Sequence, residues 1–409
     1  MSLKPSILLI NRVYPQQRGA TGRLLQDLAR ALEKSGWRVT VLSLADKAEV
    51  QPSQNLNIRF IKGARNPKTA LGCFSNLWRI FWAGLRMRKH DVVLSMTDPQ
   101  LLVVVAGLIA KFKGSSHVHW AQDIYPDLFQ PLGIKLPQRL YNFLHARCVR
   151  AMNKCDQVVV IGRCMAKYLK KHGVAIDKMT MIANWADFEV VAPSGHKGDV
   201  KQIPVPVGVA KKPEEMRRDD SQKFRVLYAG QVGRGHTMKA VIDAADLLRE
   251  HPEIEFVFVG DPEGQSVLAR ARARRDLDNI KFMPYQPIEK LRDVMESGDV
   301  HLVTMRESVK GMLVPCKFYS GLTVGRPTIF LGPKNTEIDQ VIKEYSAGFS
   351  ISPRDPDVAR HLADAIYAYR MDGDTWFQTQ EGALRAAQAY HPNQSLHKWV
   401  ELLEDLRVS

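Results

Sequence analysis

Short apolar segments alternate with amphipathic segments along two long stretches of this chain. In the first stretch, residues 6–10 and 38–44 have the pattern of buried strands, and residues 23–35 carry leucines on one helical face. Further strands are predicted at 91–95, 117–120 and 157–161. Because strands that alternate with helices pair in parallel through helical crossovers, the pattern predicts a parallel sheet covered by helices on both faces.

The same alternation restarts after a polar stretch, 191–222, which contains four prolines and a run of charged residues. Strands are predicted there at 224–229, 255–260, 280–283, 300–305 and 327–331. A chain of 409 residues is too long for one ordinary core. We therefore predict an α/β protein of two doubly wound, Rossmann-like domains facing a cleft. The expected boundaries are 1–190 for the first domain, 191–222 for a linker or insertion, 223–385 for the second domain, and 386–409 for a C-terminal helix that packs back toward the first.

The basic residues are concentrated in the first half of the chain. Lys and Arg total 58 against 43 Asp and Glu, which gives a net charge of +15. Residues 1–190 carry +16 and residues 191–409 carry −1. A basic half indicates an anionic partner, such as nucleic acid, a phosphorylated ligand or a membrane surface, or else only a solvated face.

The cysteines and the apolar segments indicate a compartment. The five cysteines include no C-x-x-C pair, which disfavours a zinc site and a disulfide framework and fits a reducing cytoplasm. The N-terminal segment lacks the pattern of a signal peptide, and the longest apolar run, 101–110, is too short to cross a bilayer as a helix. We expect a cytoplasmic protein without a metal site.

Two segments of the second half have residues suited to phosphate. The strand at 224–229 leads into a glycine-rich loop with Gly230 and Arg234, whose backbone N–H groups and guanidinium could hold phosphate oxygens. Further on, Pro315 precedes a helix whose opening turns carry Lys317 and Ser320. Alternatively, the loop is only a tight turn with a surface arginine. The helix after Pro315 would then be a capped helix that serves packing alone.

Polar residues follow two predicted strands of the first half. His119 and Asp123 lie at the end of the strand 117–120, and Asp98 follows the strand 91–95. Ligands of open α/β sheets bind outside the carboxyl ends of strands, so these side chains are candidates for proton transfer or for orienting a hydroxyl. A structural histidine and a turn-forming aspartate are the alternatives.

Residues 76–89 combine aromatic and basic side chains in a helical pattern. Trp78 and Trp82 lie on one stripe, accompanied by Arg79 and Arg86. Such a helix suits the surface of an anionic membrane. The alternative is an aromatic core helix with basic residues near its C-terminal end.

The ordered blocks of this chain resemble retaining glycosyltransferases of the GT-B fold, of the family-four type that builds bacterial surface polysaccharides. The resembling strings include QDIYP at 122–126, LYAGQVGR at 227–234 and VPCKFYSGLTVGRPTIFLG at 314–332. The Asn-Trp-x-Asp string at 184–187 and the Pro-x-Lys-Phe-Tyr string at 315–319 are similar to colanic-acid and O-antigen fucosamine transferases.

The resemblance implies roles for residues at matching positions. Gly19 would approach the donor phosphates, Arg234 and Lys317 would contact the diphosphate, and the helix after Pro315 would supply N–H groups. His119 and Asp123 would lie near the transferred sugar and the incoming hydroxyl.

The chain also departs from the family pattern. Met312 and Ser320 stand where the family has its Glu-x7-Glu carboxylates, which leaves Glu307 as the nearby carboxylate that could substitute. His236 occupies the place of a loop lysine.

The resemblance implies a hexosyl- or N-acetylhexosaminyltransferase. It would use a nucleotide sugar, with uridine diphosphate (UDP) as the expected carrier, without a metal or another cofactor. The acceptor would be a polyprenyl-diphosphate-linked sugar or a glycan, at the inner face of the plasma membrane. A GT-B nucleotide-sugar epimerase and a nucleic-acid-binding protein are the alternatives, although the chain has no nucleic-acid-binding signature.

Overall fold

The computed structural model describes residues 4–15, 20–52, 54–64, 69–186 and 223–408. The chain divides into two compact units. The first unit comprises Met1–Ala183, Gly311–Val314 and Asn393–Ser409, and the second comprises Asn184–Lys310 and Pro315–Pro392. The predicted linker at 191–222 lies outside the described residues, and the domain boundaries predicted above remain predictions.

The first unit is built on a sheet in which eight strands are described, in the order β3-β4-β2-β1-β5-β6-β7-β8. The strands are β1 Ser6–Ile10, β2 Arg38–Ala45, β3 Glu49–Pro52, β4 Leu56–Lys62, β5 Val92–Ser95, β6 Ser116–Ala121, β7 Gln157–Val160 and β8 Met179–Met181. Only the pair of β3 and β4 is antiparallel among these described strands. The chain order reverses at β1 and β5, and ligands of such sheets bind outside the carboxyl ends at this position.

The second unit has a sheet of six described strands, in the order β11-β10-β9-β12-β13-β14. The strands are β9 Phe224–Ala229, β10 Ile254–Val259, β11 Ile280–Met283, β12 Val300–Thr304, β13 Thr328–Leu331 and β14 Gly348–Ile351. The described pairs are all parallel, and the order reverses at β9 and β12. The prediction of two mainly parallel α/β sheets is therefore confirmed.

Helices connect the strands in both units. They are α1 Ala20–Lys34, α2 Ala70–Arg86, α3 Leu102–Lys113, α4 Gln138–Asn153, α5 Arg163–Lys171, α6 Lys239–Leu247, α7 Pro262–Arg275, α8 Leu291–Glu296, α9 Lys317–Thr323, α10 Glu337–Tyr345, α11 Val358–Met371, α12 Gly373–Ala389 and α13 Pro392–Val408. Single 3-10 turns span Ile176–Lys178, Ile288–Lys290 and Glu307–Val309. Within the described residues, no helix is both long and apolar enough to span a bilayer.

Local sequence explains where these elements begin and where they lie. Every residue of β1 is buried, which is why its apolar run is continuous rather than alternating. The α2 helix begins after Thr69, whose hydroxyl oxygen accepts a hydrogen bond from the N–H of Gly72. Helix α3 ends at Gly114, which has a left-handed conformation with φ of 58°. These local features explain the burial of β1, the start of α2 and the end of α3.

The C-terminal helix α13 contributes to the core of the first unit. The rings of Trp120, on β6, and Trp399, on α13, lie with their centroids 4.7 Å apart, and both side chains are fully buried. The hydroxyl of Ser395 donates to the carbonyl of Ala183. Helix α13 therefore packs on β6 and belongs to the first unit.

We predict that Trp399→Ala destabilises the first unit strongly. Truncating a fully buried tryptophan leaves a cavity beside Trp120 and should cost about 3–5 kcal/mol of unfolding free energy. Urea unfolding followed by circular dichroism measures the loss. The neighbouring exposed Lys398→Ala is the control, and an equal effect of the two substitutions would contradict the packing role.

Candidate functional site

A loop at the carboxyl end of β9 is tied to the end of β12. Gly230 has φ of 119°, a conformation that glycine adopts without strain. The backbone N–H of Arg306 donates to the carbonyl of Gly235 at 2.8 Å, and the Arg306 guanidinium donates to the carbonyl of His236. The loop from Gly230 to His236 is therefore fixed at the point where the strand order reverses.

Lys317 places a buried positive charge beside this loop. Its Nζ atom is buried without a hydrogen-bond partner among the described residues and lies 3.6 Å from the centroid of the Tyr228 ring. A Cβ atom at Gly230 would lie 3.7 Å from the same nitrogen. Burial lowers the pKa of Lys317 to about 7, since the ammonium has lost water without gaining a carboxylate. An anionic group in the loop would supply the missing hydrogen-bond acceptor.

His236 ties the loop to the sheet as a neutral imidazole. Its Nδ1–H donates to the carbonyl of Thr304 at 2.7 Å, which leaves Nε2 without a proton. Burial and the nearby charge of Lys317 lower the His236 pKa to about 3. The predicted contact of His236 with the donor stays a prediction, and its demonstrated contact is with β12.

The other residues predicted to bind the donor differ in exposure and in their contacts. Arg234 is exposed in the loop, and Ser320 is half-buried on α9. Glu307 follows β12 and forms an ion pair with Arg354 at 2.9 Å. Pro315 is buried ahead of α9, and its carbonyl accepts the N–H of Phe318. Gly19 lies outside the described residues.

In the first unit, an ion pair joins the ends of β1 and β5. The single guanidinium group of Arg12 faces Asp98, and its Nε and Nη2 atoms donate to the two carboxylate oxygens at 2.6 and 2.7 Å. The backbone N–H of Arg12 also donates to the carbonyl of Asp98. Asp98, a predicted acid–base candidate, thus has both oxygens bonded by one arginine, and its catalytic role stays a prediction.

Asp123 and His119 lie beside this ion pair at a small cavity. The cavity measures about 20 Å³, which is room for about one water molecule. Thr97 and Tyr125 also line it. Burial, together with the negative charge of Asp98, raises the Asp123 pKa to about 7, so that this carboxyl can change protonation near neutrality.

The side of the His119 ring that carries Nδ1 contacts another buried polar group. Its Nδ1 lies 3.0 Å from the hydroxyl oxygen of Ser95, on β5. Burial lowers the His119 pKa to about 3, which keeps the ring neutral. The structure therefore brings His119, within β6, together with Asp123 and Asp98, which follow β6 and β5, at one edge of the first sheet.

Sequence reasoning missed four residues at these two edges. Arg12 is the second residue after the end of β1, and this position is a signal that could have found it. His117 precedes His119 by two residues, so the two side chains share one face of β6. Ser95 and Tyr228 carry no signal of their own, because their importance depends on which strands are neighbours.

The two tryptophans of α2 are exposed rather than buried. Trp78 is 53% and Trp82 40% exposed, whereas Ile80 on the opposite face is buried. Arg79 and Arg86 are also exposed, and the Arg86 guanidinium lies 5.8 Å from the Trp82 ring centroid. The alternative of an aromatic core helix is therefore wrong for these two tryptophans.

Comparisons with known sequences point to one class of enzyme. The model for Glycosyltransferase Family 4 matches residues 21–190, and the model for Glycosyl transferases group 1 matches residues 223–370. WbjE of Pseudomonas aeruginosa, which carries a glycosyltransferase name, is 24% identical over 88% of this chain and 89% of its own length. WcaI of Escherichia coli strain K12, named for glycosyl transfer in colanic acid biosynthesis, is 27% identical over 64% of this chain and 62% of its own length.

Solved structures share the fold at low sequence identity. Sucrose-phosphate synthase from Thermosynechococcus elongatus has a TM-score of 0.76 at 15% identity and covers 98% of this chain and 99% of its own. Anabaena HepE in complex with UDP-glucose has a TM-score of 0.70 at 14% identity and covers 98% of this chain and 99% of its own. With two matched glycosyltransferase regions and this fold, the chain is a glycosyltransferase of the GT-B class.

Proposed function

We propose that this glycosyltransferase moves a hexosyl or N-acetylhexosaminyl group from a UDP-sugar to a lipid-linked or glycan acceptor in surface polysaccharide synthesis, with retention of configuration. The ammonium of Lys317 carries the proposal, because its nitrogen is buried and has no hydrogen-bond acceptor among the residues that the structure describes. The UDP-glucose complex of HepE and the colanic acid name of WcaI support the donor and the pathway class.

The proposed donor site uses few charges. Residues 191–409 carry a net charge of −1, so bulk attraction cannot hold a diphosphate there. A single ammonium that is already out of water interacts with a phosphate oxygen more strongly than an exposed lysine does. Lys317 and Arg234 would stabilise the charge that develops on the leaving diphosphate, and we propose that transfer takes place without a divalent metal.

The first unit would contribute groups for the sugar and the incoming hydroxyl. Asp123 can release or take up a proton near pH 7, and neutral His119 can form a directional hydrogen bond with a hydroxyl. Arg12 bonds both carboxylate oxygens of Asp98, which holds this group away from proton transfer. We assign Asp123 and His119 the acceptor-side roles and Asp98 the role of tuning Asp123.

Two alternatives are not favoured. A nucleotide-sugar epimerase and a nucleic-acid-binding protein were both compatible with the residues alone. Both matched family models and both curated relatives, however, carry glycosyltransferase names.

A membrane surface is proposed for the first unit. Exposed Phe74, Trp78 and Trp82 follow one another along α2, with ring centroids 6.5 Å and 5.6 Å apart. The Phe81 ring joins Phe112 of α3, which is 68% exposed, to this aromatic row. Amphipathic aromatic rings with flanking arginines suit the interface of anionic lipid. This surface would hold the protein at the inner face of the plasma membrane, beside a polyprenyl-diphosphate-linked acceptor.

Lys317→Gln should weaken binding of UDP-glucose by about 10–100-fold, as expected for loss of a charge-assisted hydrogen bond. In the wild type, a bound diphosphate raises the Lys317 pKa from about 7, so affinity should fall as pH rises from 7 to 8.5. Calorimetry across this range measures both effects.

Lys317→Gln should also abolish the dependence of UDP-glucose affinity on pH, since glutamine takes up no proton when the diphosphate binds. Lys281→Gln, at an exposed position of β11, is the charge-matched control. Unchanged UDP-glucose affinity in Lys317→Gln would reject the donor site, and absence of UDP-sugar binding by the wild type would reject the proposed donor class.

Asp98→Asn should lower the pKa of Asp123 below about 7, because a neighbouring negative charge is removed and Arg12 is left uncompensated. The pKa should stay above its ordinary value, since burial persists. Titration of the carboxyl carbon by NMR measures the change. Asp177→Asn, which removes an exposed charge of the same unit, is the control. An unchanged or raised Asp123 pKa would contradict the coupling.

The double substitution Trp78→Ser and Trp82→Ser should abolish sedimentation with phosphatidylglycerol vesicles, because it removes the aromatic side chains that would enter the interface. UDP-glucose binding should persist. Leu247→Ser, at an apolar position on α6 that is 51% exposed, is the control. Sedimentation that is equal for wild type and double variant would contradict the membrane surface.

A further inference from the structure

A chain of buried polar side chains runs behind His119. It consists of Cys155, His117, Ser95 and His119, each no more than 4% exposed. The parallel register of β5 and β6 pairs Ser95 with His119, and the two-residue repeat of a strand puts His117 on the same face. The topology of the sheet therefore brings these four side chains into one line.

The contacts along this line are continuous. The Cys155 sulfur lies 3.3 Å from Nδ1 of His117, and Nε2 of His117 lies 3.0 Å from the Ser95 hydroxyl oxygen. The same oxygen lies 3.0 Å from Nδ1 of His119. At the far end, the Cys155 thiol donates to the carbonyl of Ala151 at 3.4 Å.

The backbone carbonyl sets the direction of these hydrogen bonds. A carbonyl oxygen can only accept, so the thiol proton points to Ala151 and the Cys155 sulfur accepts from Nδ1–H of His117. Nε2 of His117 then accepts from the Ser95 hydroxyl, whose oxygen accepts from Nδ1–H of His119. The reverse direction would give up the hydrogen bond between Cys155 and Ala151.

Both imidazoles are neutral, as this direction requires. Burial lowers the pKa of His117 to about 4 and that of His119 to about 3. The Asp156 carboxylate accepts from the backbone N–H of His117 rather than from its ring. A Cβ atom at Gly107 of α3 would lie 3.3 Å from Nδ1 of His117, so the packing leaves the ring little room to turn.

We propose that Ser95, His117 and Cys155 are positioning residues that hold His119 in its Nδ1–H tautomer. Nε2 of His119 is then a hydrogen-bond acceptor, and it is the ring nitrogen left for a group in the cavity that His119 lines. The cavity has room for about one water molecule, so if a sugar places one of its groups there, which rests on the proposed function, the recognised group is a hydrogen-bond donor such as a hydroxyl. An ether or a deoxygenated carbon at that place would leave the nitrogen unpaired.

The ring nitrogens of histidine-labelled, ligand-free full-length protein report the tautomer by 15N NMR, with His119→Gln identifying the signal. The wild type should show His119 with Nδ1 protonated and Nε2 unprotonated. Ser95→Ala should shift His119 toward the Nε2–H tautomer, because Nδ1–H loses the hydroxyl oxygen that accepts it and only the backbone carbonyl of residue 95 remains nearby.

Cys155 gives a test that does not depend on Ser95. Cys155→Ala should change the His119 tautomer population, and Cys155→Ser should restore it, since a hydroxyl can accept and donate in the same two directions. The value of kcat/KM should fall about tenfold in Cys155→Ala, as for loss of one neutral hydrogen bond, and recover in Cys155→Ser. If Cys155 served only in packing, its substitution would leave the tautomer population of His119 unchanged.

Two results would overturn the proposal. One is an Nε2–H tautomer of His119 in the wild type, and the other is an unchanged tautomer in both Ser95→Ala and Cys155→Ala. Because the NMR measurement needs no substrate, its outcome is separate from the proposed function. Failure of the wild type to bind UDP-sugars would reject the function and leave the tautomer assignment standing.

Discussion

Parallel pairing of strands brings distant parts of the chain to the same edge of each sheet. Residues 12, 98 and 123 are far apart in sequence, yet they follow β1, β5 and β6, which are neighbours. The same constraint places the Gly230 loop after β9 beside the residues that follow β12. Ligands of open α/β sheets bind outside such edges, so the polar side chains gathered there are placed where a ligand would bind.

The two edges solve the problem of buried charge differently. In the first unit, the Asp98 carboxylate accepts two hydrogen bonds from the Arg12 guanidinium. The nearby Asp123 has a raised pKa, so its carboxyl is more often in the uncharged, protonated form. In the second, Lys317 has an aromatic ring in place of a carboxylate. Burying a charge that has no counter-charge costs free energy. Binding of an anion beside Lys317 would therefore recover more free energy than binding beside the paired Asp98 and Arg12.

Sequence reasoning predicted the fold class and most of the strands, because buried parallel strands have continuous apolar runs. It missed the helix α10, which Thr336 caps, and four strands, β3, β4, β8 and β14. In β4 the apolar residues Leu56, Ile58 and Phe60 alternate with other residues rather than forming a continuous run. Lys317, His119 and Asp123 could be selected from their places in the chain. The partnership of Arg12 with Asp98 could not, because it depends on which strands lie side by side.

The burial of Trp399 against Trp120 has a consequence during synthesis. Domains of a nascent chain generally fold as they leave the ribosome, the N-terminal one first. Here Trp399, on a helix that follows the second unit in the chain, packs against Trp120 of β6 in the first unit. The first unit to be translated is therefore the last to be completed, and a ribosome that stops short of α13 releases a chain with an open core.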